Sequence, residues 1–220
     1  MAPVDDIQYT VRRSTRARRV GITVDGRGNV EVVLPQRARD REAAKAVAKL
    51  RPWIERHVAK ARGAQEAVAA RGGTLPLLGE TLTLRPEPGR TRVHRRHDLL
   101  LVPAADPEPA IERWYRRTAR AEIAPRLDDA VAALGTRYTA LTIRNQRTRW
   151  GSCSATGAMS FNWRLLLAPE KVLDYVVWHE ACHLNVMDHS PRFWSLVEQH
   201  VPDYRVPRRW LRDHGATLVL

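Results

Sequence analysis

Three histidines and a glutamate near the C-terminus have the types and spacing to do chemistry. His179 and His183 stand four residues apart, with Glu180 between them in the string His179-Glu-Ala-Cys-His183. On a helix, residues four apart lie one turn above each other on the same face. Both imidazoles then reach one ion at Zn–N distances of about 2.0–2.1 Å. Glu180 falls about 100° round the helix from His179. It reaches a water in the ion's open position and is poorly placed to be the next ligand, the pattern of a two-histidine zinc helix with a general-base glutamate. His189 follows six residues after His183. Three protein nitrogens leave the fourth tetrahedral position to water, as in a catalytic rather than a structural zinc site. Zinc lowers the pKa of bound water from roughly 15.7 towards about 7 and polarises a substrate oxygen. Glu180 then takes the proton during attack and returns it to the leaving group.

These residues need rigid elements to position them. Pro169 suits the first position of a helix, where its missing N–H costs nothing. The helix it opens, expected from Glu170 to about Leu184, is apolar on most sides: Val172, Leu173, Tyr175, Val176, Val177, Trp178, Ala181 and Leu184. A helix apolar nearly all round is buried. The segment Asn185-Val-Met-Asp188 is polar and irregular enough to end it and turn the chain back. Ser190 and Pro191 read as the N-cap and first residue of a new helix, so His189 is held between two helix ends. His57, His94, His97, His200 and His214 sit among charges and read as surface residues, with His200 and His214 as candidates to support the ligands. Cys182 reads as a small buried thiol. Trp150, Trp163, Trp178 and Trp194 read first as core, and Trp150 with Phe161 as a possible floor of a substrate groove.

Upstream, Gly21–Val24 and Asn29–Leu34 are β-branched stretches flanking Asp25-Gly26-Arg27-Gly28, a hairpin signal. Residues 40 to 70 repeat apolar side chains at helical spacing, and Pro52 predicts two helices or a kink near Leu50. Strands follow between Leu75 and Val102. Pro103 to Pro109 has the composition of a linker. A long amphipathic helix from Ile111 to Leu134 comes next, with a kink expected at Pro125. Leu141–Arg144, Thr148–Trp150 and Met159–Leu165 read as strands, and Gly151–Gly157 as a turn-rich loop. The expected fold class is α+β: a β-rich N-terminal region with a helical insert over residues 1–105, then a metallohydrolase domain over 106–220 with a small sheet and a buried helix carrying the histidine pair.

Length and composition narrow the function further. A chain of 220 residues with 44% hydrophobic residues buries a core and is not globally disordered. No apolar run approaches the ~20 residues of a membrane helix. The N-terminus has early acids and no apolar h-region, and the chain has two cysteines, so a cytoplasmic location is expected. The net charge is +13, and only four of the 37 basic residues are lysines. Clusters at Arg12–Arg19, Arg92–Arg96 and Arg205–Arg212 suggest contact with nucleic acid or another polyanion. Their scatter, and the lack of interleaved aromatics, favour an arginine-heavy surface instead.

Arg147-Thr-Arg-Trp-Gly-Ser-Cys153, Asn162-Trp-Arg-Leu165, Asp174-Tyr-Val-Val-Trp-His-Glu-Ala-Cys-His-Leu184 and His189-Ser-Pro-Arg-Phe-Trp194 together resemble the YgjP-like metallopeptidase family. That family is related to the SprT-like and minimal zincin proteases. The resemblance implies zinc on His179, His183 and His189, a catalytic Glu180, and a zincin-type half whose sheet edge holds an extended peptide by strand addition. The strand from Met159 to Leu165 is a candidate for that sheet. The sequence departs from the metzincins, which share the histidine spacing, by placing Val186 where they have the glycine of a tight turn. A peptide or protein is the expected substrate. Two alternatives are a metal-dependent nucleotide phosphohydrolase, also attached to the family name, and a basic nucleic-acid-binding protein with a non-catalytic zinc. The first lacks a second carboxylate cluster for two-metal chemistry; the second has no use for Glu180.

Overall fold

The computed structural model describes residues 7–146 and 148–220. The chain divides after Ala70 into two compact units, both mixing helix and strand.

In the first unit the hairpin forms as its turn residues dictate. The carboxylate of Asp25 accepts the N–H groups of Arg27 at 2.8 Å and Asn29 at 2.9 Å, and Gly28 takes φ 82°. This turn joins β2 (Gly21–Val24) to β3 (Val30–Pro35) in antiparallel register. The edge strand β1 (Tyr9–Ser14) pairs with the other side of β3, parallel, from Tyr9 opposite Val30 to Ser14 opposite Pro35. Alternation along β3 turns Val30, Val32 and Leu34 to one face. They are buried with Ala43, Val47 and Ile54 of α1 (Arg41–Ala69). Pro52 lies inside α1, which is one helix and not two. The buried positions Val47, Ile54, Ala61 and Ala64 continue on both sides of the proline, and this packing outweighs the loss of one backbone hydrogen bond.

The second unit begins with four strands: β4 (Thr74–Leu77), β5 (Glu80–Glu87), β6 (His94–Arg96) and β7 (Leu99–Pro103), in the order β4-β5-β7-β6. Pro103 ends β7, and Pro107 opens α2 (Pro107–Ala133), so the proline-rich stretch is a short connection inside this unit. α2 runs unbroken through Pro125. Beyond it, β8 (Ala140–Arg144), β9 (Gly151–Cys153) and β10 (Ala158–Asn162) form a sheet in the order β8-β10-β9. A 3₁₀ turn, Trp163–Leu167, leads into α3 (Glu170–Cys182), α4 (Pro191–His200) and α5 (Arg205–His214).

One core joins these elements. Leu82 and Leu100 from the four-stranded sheet, Tyr115, Ile123 and Leu127 from α2, Phe161 and Trp163, and Leu173 and Val177 from α3 are all buried in it. Polar ties fix the layers: Tyr115 Oη donates to the carbonyl of Pro76 at 2.6 Å, and Leu78 N–H donates to Leu166 O at 2.8 Å. Arg126 of α2 reaches Glu170 and Asp174 in the first turns of α3. Among the described residues no helix is long and apolar enough to cross a membrane.

Candidate metal centre

α3 is buried on most of its circumference, with Val172, Leu173, Tyr175, Val176, Val177, Ala181 and Cys182 at 5% exposure or less. Its register is therefore fixed by the core, and so are the directions in which His179, Glu180 and His183 project. The helix closes in a tight turn, with Val186 N–H donating to Cys182 O at 3.0 Å. The carbonyl of Val186 in turn accepts from His183 Nδ1 at 3.0 Å. A carbonyl only accepts, so the proton lies on Nδ1, and Nε2 of His183 keeps its lone pair. Val186 is not among the residues of positive φ, so this turn has no need of glycine. Asp188 accepts from Ser190 N–H at 3.2 Å, just before α4 begins with Ser190 as N-cap and Pro191 inside. His189 is thereby placed opposite the end of α3.

The three imidazoles converge, and each offers a ring nitrogen within 4.8 Å of the others. Nε2 of His179 and Nε2 of His189 are 3.2 Å apart. Two nitrogens at about 2.0–2.1 Å from one tetrahedral ion lie about 3.3–3.4 Å from each other, so the His179–His189 pair has the spacing of a zinc site, and His183 completes a candidate metal-binding set. Phe193, fully buried in the first turn of α4, supports all three rings at centroid distances of 4.9 Å (His179), 4.4 Å (His183) and 4.9 Å (His189). Burial, then the neighbouring His183, His189 and Arg208, push His179 down to about 3, and burial also lowers His183. Both are thus neutral, the form that binds a metal.

Glu180 is buried at 7% exposure beside β9. Its carboxylate accepts the backbone N–H of Cys153, and burial raises its pKa to about 7 against the opposing pull of Arg149 and that hydrogen bond. A Cβ on Gly151 would lie 2.6 Å from Glu180 Cγ and 2.7 Å from Oε1. The absence of a side chain at residue 151 is therefore what lets β9 lie against the glutamate.

Where the residue types predict a strand at Thr148–Trp150 and a loop from Gly151, the loop comes first and Gly151–Cys153 is strand. Buried Asn162 decides this. Its Nδ2 donates to Gln146 O at 2.7 Å and Arg149 O at 3.2 Å, and its backbone N–H donates to Trp150 O at 2.8 Å. Carbonyls captured in this way are not available to a ladder, and pairing begins with Gly151 opposite Phe161. Gly151, Asn162 and Phe193 have roles that the sequence motifs containing them do not reveal. A glycine beside strand residues is the signal for a close backbone approach. His200 and His214, expected as supports of the ligands, pack against tryptophans: His200 stacks on Trp178 at 4.2 Å, and His214 lies 5.0 Å from Trp210. Phe161 is wholly in the core, and Cys182 is a buried thiol pushed up to about 12.

The model of the YgjP-like metallopeptidase domain matches residues 18–214, a span that includes the triad and Glu180. The chain belongs to the YgjP-like family. Among solved structures, this YgjP-like chain is similar to the metallopeptidase zymogen of Pyrococcus abyssi abylysin. The two are 24% identical, with 41% of this chain and 92% of that one covered and a TM-score of 0.38. No curated protein matches it. Membership makes the YgjP-like chain a metallohydrolase of the metallopeptidase class.

Proposed function

We propose that this YgjP-like chain is a zinc-dependent peptidase in which His179, His183 and His189 hold the metal and Glu180 is the general base. The observation that carries this reading is the convergence of three imidazoles beside a buried carboxylate that no cation pairs with directly among the described residues. Bound there, zinc would supply Lewis-acid polarisation of the scissile carbonyl and acidify water. Glu180, with its pKa raised towards 7, is suited to take a proton from the attacking water and pass it to the leaving amine. The N–H of Cys153 keeps its carboxylate in one orientation. β9 is an edge strand directly beside Glu180; apart from the Cys153 N–H held by that carboxylate, its free side supports an extended peptide as an added strand. The free thiols of Cys153 and Cys182 support a cytoplasmic enzyme.

The test is metal content of wild type and Glu180→Gln, with peptide and nucleoside-triphosphate hydrolysis measured on both. The reading expects about one zinc per chain in each, and peptide cleavage that the substitution abolishes. Triphosphate cleavage alone, lost in the mutant, would reassign the substrate class. No metal in either protein after zinc is supplied would remove the proposal.

A further inference from the structure

The N-terminal arginines that the metal centre leaves unused fall in two separate stretches of sequence, residues 16–19 and 37–41, and the fold brings the two together. Because β1 and β3 are parallel, with Ser14 opposite Pro35, both strands end on the same side of their sheet. β2 starts on that side, with Gly21 opposite Val33. The loop from β1 to β2 carries Arg16, Arg18 and Arg19; the loop from β3 carries Arg37 and Arg39, and Arg41 opens α1. Six arginines thus share one end of the first unit. All are exposed, and among the described residues none has a carboxylate at ion-pair distance.

A seventh arginine holds this end together. Arg13, near the end of β1, donates to Gln36 O at 3.0 Å, Ala38 O at 2.8 Å and Asp40 Oδ1 at 2.6 Å. The loop bearing Arg37 and Arg39 is tied to the strand that leads into Arg16. Ser14 Oγ accepts from Arg16 N–H at 3.3 Å and begins the other loop. Unneutralised guanidinium groups held close by a rigid scaffold raise the local potential. The positive end of the α1 dipole points the same way.

We infer that this end of the first unit binds the phosphodiester backbone of double-stranded nucleic acid without reading its sequence. Guanidinium groups match phosphate oxygens two at a time. The flanking strands β1 and β2 lie about 10 Å apart across β3, and a duplex presents a phosphate every ~3.4 Å along each strand. The footprint therefore covers about four phosphates. Residues 15–20 and 36–41 include no aromatic side chain. Unpaired bases would find nothing to stack on, and a membrane would receive no bulky apolar anchor. A duplex backbone is the polyanion that needs neither.

The experiment is fluorescence anisotropy of a labelled duplex of about 20 base pairs with the full chain over a salt series. The triple variant R16A/R18A/R19A is compared with K49A/R56A/R62A, which removes equal charge from exposed positions further along α1. Melting temperatures of both should equal wild type, because these side chains contact nothing the fold depends on. The expected result is a wild-type slope of log K against log salt near about −4. In the first triple the slope flattens by about 2–3 and affinity at ~100 mM salt drops at least tenfold, while the second triple changes less than about threefold. No binding by wild type, or equal loss in the two triples, would overturn the inference. So would tighter binding to anionic phosphatidylserine vesicles or to single strands than to the duplex.

Discussion

Burial disfavours the charge of Glu180 more than Arg149 and the Cys153 N–H offset it, and this makes the group measurable in metal-free protein. Its pKa rises from about 4.5 unfolded to about 7 folded because burial disfavours the anion. The folded state therefore holds a proton that the unfolded chain releases between pH 4.5 and 7. Stability from this group is complete below the unfolded value and is lost as pH climbs through the folded one. With metal chelated, Glu180→Gln should match wild type near pH 4 and exceed it at pH 8 by at most roughly 3 kcal/mol, read by urea denaturation. In the metal-loaded enzyme the same substitution should keep the metal and lower turnover by about 10²–10⁴. Gly151→Ala tests the close approach of β9. Its Cβ would lie 2.6 Å from Glu180 Cγ, so the carboxylate must move. A displacement of this size should cost about 100-fold in activity with metal content unchanged; unaltered turnover would contradict the role given to the glycine.

The helices and strands around the triad act through what lies behind them. Phe193 of α4 packs against all three imidazoles and is fully buried. Phe193→Ala should cost about 3–5 kcal/mol as a cavity and weaken metal binding some 10–100-fold, measured by competition with a chromophoric chelator. Asn162 at the end of β10 holds the loop before β9 through Gln146 O and Arg149 O. Truncating it to alanine leaves those carbonyls without their donor, a loss of about 1–3 kcal/mol. The freed loop lets β9 shift, so activity should fall further than stability accounts for. Normal turnover in a folded Asn162→Ala protein would show that β9 holds its place without that clamp.

For the second unit as a whole, the core that fixes α3 is built from Tyr115, Phe161, Trp163 and Leu173 as well as the site's own Phe193. With a core of this size, folding is expected not to depend on the ion as it does in a small zinc finger. Chelation should abolish hydrolysis while leaving far-UV circular dichroism unchanged. The melting temperature should drop by the amount that ligand linkage sets, and zinc should restore both. A chelated chain that unfolds would mark the metal as structural.

Much of this protein is legible in its sequence because local rules govern it. The His179–His183 spacing specifies one helix face, the Ser190-Pro191 pair starts α4 at once after His189, and Asp25–Asn29 forces the β2–β3 turn. Pro52 allows a break into two helices by local rules, yet one helix runs through it, since packing on either side outweighs a local penalty; α2 likewise continues through Pro125. The start of β9 was also hidden, because Asn162 acts on carbonyls 12 to 16 residues before it. Tertiary structure alone brought His189 to within 3.2 Å of His179, set Gly151 against Glu180, and collected arginines of two separate loops at one sheet end. Spacing within a helix is a property of the backbone's own geometry. Proximity between segments depends on which buried faces find each other, and a linear sequence does not contain that distance.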